Sequence, residues 1–309
     1  MAHLKPQIPD EFDEIVASFT GKVKLKNYFA DTTQYSSFSQ YIEKYAATKK
    51  RNLAGAVLDN SRLQLIAADE MLWSTKQYAL LIILQGMDTS GKDCIISHVL
   101  SGVNPQYCRV ASFKVPTAEE HAHDFLWRYA KQLPERGEIV IFNRSHYEDV
   151  LVTRVHPELM EELPGRLGLR DNKNFWADRY EDINAFEQHL SRNGTLILKF
   201  FLHISKDEQK ARLLKRVSKN DKLWKASKSD FKEREYWDDY IAAYEDMLSK
   251  TSTEYAPWVI VPSNDKQISH AIVAHSIAGA VNALKISYPD VSKADVEFLQ
   301  QAKHQLETE

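Results

Sequence analysis

Seven residues, Tyr78-Ala79-Leu80-Leu81-Ile82-Ile83-Leu84, run without interruption into Gln85-Gly86-Met87-Asp88-Thr89-Ser90-Gly91-Lys92-Asp93. The first part reads as a buried strand and the second as a glycine-bearing turn that leads into a helix starting near Asp93. Gly86, four intervening residues and then Gly91-Lys92 reproduce the spacing of a P-loop. There the glycines let backbone N–H groups wrap phosphate oxygens, with Thr89 and Ser90 in the wrap, and the lysine neutralises the outer phosphates. The N-terminus of the following helix adds partial positive charge at the same place. The chain is therefore built to handle phosphate.

Two aspartates depart from the usual motif. The position after the lysine normally carries a Ser or Thr hydroxyl for the metal, and here it is Asp93. Asp88 lies inside the loop, where it would repel a phosphate chain unless a cation stood between them. Asp88 and Asp93 therefore call for Mg²⁺, with Mn²⁺ as a substitute, because such an ion takes one or two carboxylates together with phosphate oxygens.

A strand of this kind belongs in a parallel sheet, and the rest of the chain agrees. Further strands are expected at Tyr107–Phe113, Glu138–Phe142, Thr195–His203 and Trp258–Val261. Between them helical spacing is read at 61–76, 118–132, 174–191, 206–217, 233–250 and 267–286. The expected fold is α/β, with about five parallel strands and helices on both faces. Residues 1–60 read as an N-terminal extension, 61–290 as the P-loop domain and 291–309 as a helical tail. The first residues do not read as a signal peptide and no apolar run is long enough to span a membrane, so a cytoplasmic protein is expected. Cys94 and Cys108 offer neither a disulfide framework nor a metal spacing. A net charge of −3 argues against general nucleic-acid binding.

In parallel sheets ligands bind beyond the carboxyl ends of the strands. The strand ending at Phe142 delivers Asn143, Arg144 and, one turn further on, Glu148 to the P-loop edge. A strand here commonly ends in an aspartate that helps hold the metal. Asn143 is neutral, so Glu148 is the candidate to restore that charge. Arg144 is the candidate phosphate clamp, because its planar fork matches phosphate oxygens and stays charged. Lys114, after the strand ending at Phe113, points to phosphate as well. His121 and His123 are two apart and do not share a helix face, so they do not form a zinc pair. From Lys206 to Arg234 eleven basic residues stand against five acidic ones. This run, with Arg212, Lys215 and Arg216 on helical spacing, reads as a basic lid over about 206–232 that excludes water from phosphoryl transfer.

Several of these segments together resemble the polyphosphate kinase 2 family along nearly the whole chain. They are Gly86–Asp93, Ser112-Phe113-Lys114-Val115-Pro116-Thr117, His123-Asp124-Phe125-Leu126-Trp127-Arg128, the run from Phe142 to Val152, and the basic region ending near Trp224. The resemblance implies a thymidylate-kinase-like P-loop kinase fold, dependence on Mg²⁺, inorganic polyphosphate as donor and a nucleotide as acceptor. It also implies a homo-oligomer, dimer or tetramer, acting on adenine nucleotides, with guanine nucleotides as further acceptors. Asp88, Lys92 and Arg144 are the expected catalytic residues, and Asp88, Asp93 and Glu148 the expected metal ligands. Asn143 with Glu148 looks like the class III branch, which accepts both AMP and ADP, so these two residues are expected to select the acceptor. Two other functions suit the same loop: an ATP-dependent nucleotide kinase, and a non-catalytic phosphate or nucleotide sensor.

Overall fold

A computed structural model describes residues 4–17, 21–31, 34–35, 50–160, 173–218 and 228–309. The five expected strands all form: β1 (Ala79–Gln85), β2 (Cys108–Ser112), β3 (Ile139–Asn143), β4 (Thr195–His203) and β5 (Trp258–Pro262). They make one parallel sheet in the order β2-β3-β1-β4-β5. Every residue of β1 is buried, as its unbroken apolar run requires of a strand covered on both sides.

Alternation of side chains along the strands divides the core in two. Leu80, Ile82 and Leu84 pack on one face with Leu65 and Leu72 of α1 (Lys50–Thr75), Ile95 of α2 (Lys92–Val99) and Ile277 of α10 (Lys266–Asn282). Leu81 and Ile83 pack on the other with Leu151 of α5 (Glu148–Val155), Ile183 of α6 (Phe175–Arg192) and Leu248 of α9 (Trp237–Thr251). The next strand added beside β1 in chain order switches from one side, at β3, to the other, at β4. The crevice at the carboxyl end of β1 is therefore a switch point of the sheet, where α/β folds bind ligands. This is the α/β P-loop kinase-like architecture expected of the sequence.

Element boundaries differ in instructive places. The helix expected from Ser61 begins at Lys50. The continuous helix expected over 118–132 is instead two turns, α3 (Ala118–His121) and α4 (Trp127–Ala130). A capping box between Thr117 and Glu120 starts the first. The Asp124 carboxylate then accepts the Leu126 N–H, and Arg179 lies over the Phe125 ring at 3.8 Å. Local turn chemistry and a long-range contact thus override helical spacing. The helix expected over 233–250 breaks into α8 (Lys228–Glu233), a short 3₁₀ turn and α9. α7 (Lys206–Val217) follows β4, and α11 (Lys293–Thr308) forms the exposed helical tail. No helix among the described residues is long and apolar enough to cross a membrane.

The segment before α1 is tied into the domain. Val16 bridges Val259 of edge strand β5, and Ala17 N–H donates to the Trp258 carbonyl at 2.8 Å. Phe12 and Ile15 lie in the α1/α10 core, and Ala17, Val23 and Leu25 in the opposite one. The segment therefore covers a strand edge that would otherwise offer unpaired backbone groups. Phe12 is 1 % exposed, so Phe12→Ala is expected to lower the unfolding free energy by about 3 kcal/mol. Urea denaturation checks this, and an extension that merely rests on the domain would leave the midpoint unchanged.

Candidate active site

The loop between β1 and α2 takes its shape from close packing. A Cβ on Gly86 would stand 2.7 Å from the Leu202 carbonyl, and Gly86 has φ +148°. Only glycine fits there. Gly91, at φ +115°, caps α2, while Thr89 holds φ +66° without being glycine. The Lys92 ammonium is folded into the loop and donates to the carbonyls of Gly86 at 2.6 Å and Met87 at 3.3 Å. Burial first, and the neighbouring Arg144 charge second, bring Lys92 down to about 8 against the pull of Asp88, Glu148 and Asp93.

Arg144 follows β3 and joins the two sides of the crevice. One arm of its guanidinium meets Asp88 at 2.7 Å and the other meets Glu148, on the first turn of α5, at 2.9 Å. Glu148 above all, and also Asp88, raises the Arg144 pKa against the opposing effect of burial, so it stays charged. Asn143 donates to the Asp93 carboxylate at 2.9 Å. The expected metal trio is therefore not assembled: Asp88 and Glu148 face Arg144, whereas Asp93, on the first turn of α2, faces Asn143. Among the described residues no three His, Cys, Asp or Glu side chains are grouped as a metal site. What the loop does offer is hard oxygen. The buried Thr89 Oγ1 and Ser90 Oγ have no hydrogen-bond partner, and Asp88 is bound on one oxygen only by Arg144. A hard divalent cation held by one carboxylate and phosphate oxygens fits this donor set.

The basic residues divide into different roles. Arg212 was expected to meet phosphate. Its side chain is 9 % exposed and all five of its N–H groups meet protein: Nε goes to Glu208, Nη1 to the Thr89 and Ser90 carbonyls, and Nη2 to the Ser263 and Asn264 carbonyls. With no donor left over, it is a strut under the loop. Gln209, which sequence reasoning missed, adds a bond from Nε2 to the Asp88 carbonyl at 3.2 Å. Three consecutive loop carbonyls are thus drawn towards α7. Because the peptide is planar and trans, the N–H groups of the following residues turn the opposite way. Arg216 pairs with Asp230 of α8 at 2.7 Å, and Lys215 is exposed. Lys219, Lys222, Trp224 and Lys225 of the expected lid lie outside the described residues.

Two cavities share Arg144 in their walls. The smaller is lined by Gly86, Asp88, Gln209 and Tyr244. The larger, about 650 Å³, is lined by Phe113, Lys114, Phe125, Arg128, Tyr129 and Thr153. Arg144, Glu148 and Val152 line both. Lys114 itself is exposed, and its backbone is fixed by Arg128, which donates to the Lys114 carbonyl at 2.9 Å.

A family model described as polyphosphate kinase 2 matches residues 48–289. The chain belongs to the polyphosphate kinase 2 family. An ADP-polyphosphate phosphotransferase of Rhodopseudomonas palustris is 50 % identical over 237 residues, 77 % of this chain and 82 % of that protein. An AMP/ADP-polyphosphate phosphotransferase of Meiothermus ruber is 41 % identical over 279 residues, 90 % of this chain and 96 % of that protein. The crystal structure of polyphosphate kinase 2 from Arthrobacter aurescens superposes with a TM-score of 0.81 at 34 % identity, covering 97 % of this chain and 99 % of that one. Membership of the polyphosphate kinase 2 family thus extends over sheet, P-loop and the strand end that carries Arg144.

Two consequences of this geometry are measurable. An anion bound beside Lys92 raises its pKa, so binding of tripolyphosphate at about pH 8.5 is expected to take up protons. Calorimetry in buffers of different ionisation enthalpy reads that uptake, which Lys92→Arg, charged throughout, should abolish. Arg212→Lys keeps the charge and loses the fork. Since each charge-assisted hydrogen bond removed costs about 1.5–3 kcal/mol, a loss of about 3 kcal/mol in unfolding free energy is expected in urea.

Proposed function

We propose that the protein transfers the terminal phosphoryl group of inorganic polyphosphate to a nucleoside mono- or diphosphate, reversibly and with Mg²⁺. The observation that carries this reading is the pair of cavities that meet at Arg144 and Glu148. One opens at the P-loop, with about 30 Å³ of free space among Gly86, Asp88, Arg144 and Glu148, and marks where the last phosphate of the chain would meet the loop. The other is aromatic at Phe113, Phe125 and Tyr129, polar at Arg128 and large enough for a nucleotide. Phosphate groups held in the two would confront each other at the guanidinium they share. The two relatives described above, an ADP- and an AMP/ADP-polyphosphate phosphotransferase, support the same donor, one with ADP and one with both AMP and ADP.

In the reaction an oxygen of the nucleotide's terminal phosphate bonds to the last phosphorus of the chain. The bond from that phosphorus to its bridging oxygen breaks, and the chain leaves one phosphate shorter. Both donor and product are phosphoanhydrides, so excess nucleoside triphosphate drives the reverse direction. The P-loop amides and Lys92 gather the donor, while Arg144 offsets charge on the equatorial oxygens as it spreads in the transition state. Asp88 would hold the divalent cation together with phosphate oxygens, Asp93 being turned to Asn143, and the ion would supply neutralising charge between the loop carboxylate and the phosphates. Asn143 and Glu148 select the acceptor, Glu148 by the carboxylate it places where the cavities meet and Asn143 by leaving the strand end neutral.

The test is formation of ADP and ATP from AMP, Mg²⁺ and long-chain polyphosphate, with ATP plus AMP as control. Product that requires polyphosphate is expected, and product in the control alone would make the protein an ordinary nucleotide kinase. In the same assay Glu148→Gln, which removes one of the two charges on Arg144, is expected to shift the ratio of AMP to ADP turnover about tenfold. An unchanged ratio would remove Glu148 from acceptor selection.

A further inference from the structure

Beneath the site lies a buried charged cluster that lines neither cavity. Lys199, in the middle of β4, and Glu187, on α6, are both fully buried and pair at 2.6 Å. The Lys199 ammonium also donates to the Tyr147 hydroxyl at 2.8 Å and to the Thr251 carbonyl at 2.7 Å. The Tyr147 hydroxyl in turn donates to Glu187 Oε1 at 2.7 Å, and His146 Nε2 lies 3.2 Å from the same oxygen. For stability alone such a pair has little advantage, since apolar residues of similar volume commonly serve as well or better.

Its place in the chain supplies a reason for it. Tyr147 and His146 come directly after Arg144 and Ser145, and Arg144 has φ +66°, a conformation that a long side chain rarely adopts. Strain of this kind persists only where the surroundings over-determine the backbone. Here the Arg144 N–H donates to the Leu84 carbonyl at 3.2 Å, and buried Ser145 accepts from Gln85 Nε2 at 3.1 Å. Those bonds fasten the near side to β1. The far side is fastened by Glu187, which takes both the Tyr147 hydroxyl and the His146 ring, and Glu187 is itself fixed by Lys199. From that backbone the Arg144 side chain reaches Asp88 and Glu148 together.

We infer that Glu187 and Lys199 are positioning residues that act through Tyr147 to hold Arg144 in the left-handed backbone conformation its double ion pair requires. The kinetic side of this inference rests on the phosphoryl-transfer reading; the geometric side does not.

Tyr147→Phe is the decisive variant, because it removes the hydroxyl from the cluster and keeps the ring in the core. Glu187→Gln is its companion, and Tyr147→Phe stands alone if that variant does not fold. Turnover with polyphosphate is expected to fall on the order of tenfold in each, as for a misplaced catalytic group. In an Arg144→Lys background Tyr147→Phe should cause no further loss, whereas a cluster that only stabilises the fold would give losses that multiply. Hydrogen exchange supplies a readout that needs no catalysis. Amides 144–148 should exchange faster in Tyr147→Phe while those of β1 keep their protection. Multiplying losses, or equal exchange over 144–148 in parent and variant, overturn the inference. A parent that turns over no polyphosphate would dismiss the proposed reaction, and the exchange measurement would still decide the geometry.

Discussion

The Arg144 guanidinium, held between Asp88 and Glu148, is the contact that makes one site out of two structural halves. Asp88 belongs to the loop after β1, and Glu148 to the helix after β3. Parallel pairing of β1 with β3 aligns Leu84 with Asn143, so the two loops leave the sheet at the same level. The arginine then spans a gap that register has already fixed. Arg144 thereby lines both cavities.

The loop itself is held from below. A P-loop binds phosphate through N–H groups, so its carbonyls must be satisfied elsewhere, and buried carbonyls left without donors are costly. α7 meets this demand with Gln209 and Arg212, one turn apart on the same helical face. Lys92 meets it from within the loop by bonding Gly86 and Met87. The two cations differ in consequence. Arg212 has every donor engaged by rigid backbone or by Glu208, whereas Lys92 holds two carbonyls with a single flexible ammonium whose charged form is disfavoured by burial. Of the two, Lys92 is the one that an entering phosphate can recruit.

The sheet and the P-loop were legible because their signals are local and strong. An unbroken apolar run can only be covered on both sides, and the glycine spacing fixes the turn that follows. All five strands lie within one or two residues of their expected bounds for the same reason, and the structure brings Asp88, Arg144 and Glu148 into contact. What the sequence hid were the partners. An Arg212 written among ten other basic residues looks like a cation waiting for an anion. Nothing in the linear order reveals that four carbonyls from two loops converge on it. Asp93 looks like a second ligand beside Asp88, yet Asp88 meets Arg144 and Asp93 meets Asn143. The signal for the buried cluster was present, since Lys199 interrupts Leu196-Ile197-Leu198 and Phe200-Phe201-Leu202. A charge at the centre of a buried strand demands a buried counter-charge, but its identity is set by how α6 crosses β4, which no spacing rule supplies.

The same pattern of charge explains why a neutral Asn143 is compatible with the chemistry of this fold. At the mouth of the loop Lys92 and Arg144 carry positive charge, and Asp88 and Glu148 carry negative charge. These four nearly balance before any ligand arrives. A polyphosphate would bring many further negative charges to this neutral setting, and Lys206, Lys210 and Lys215 leave basic charge exposed on α7. An aspartate at position 143 would add another negative charge beside Asp93, where asparagine is the group in contact. With asparagine the strand end instead donates a hydrogen bond to Asp93. The carboxylate of Glu148, one turn further along, stands where the two cavities join. With no charge at the strand end itself, the carboxylate of this segment lies where it lines both cavities.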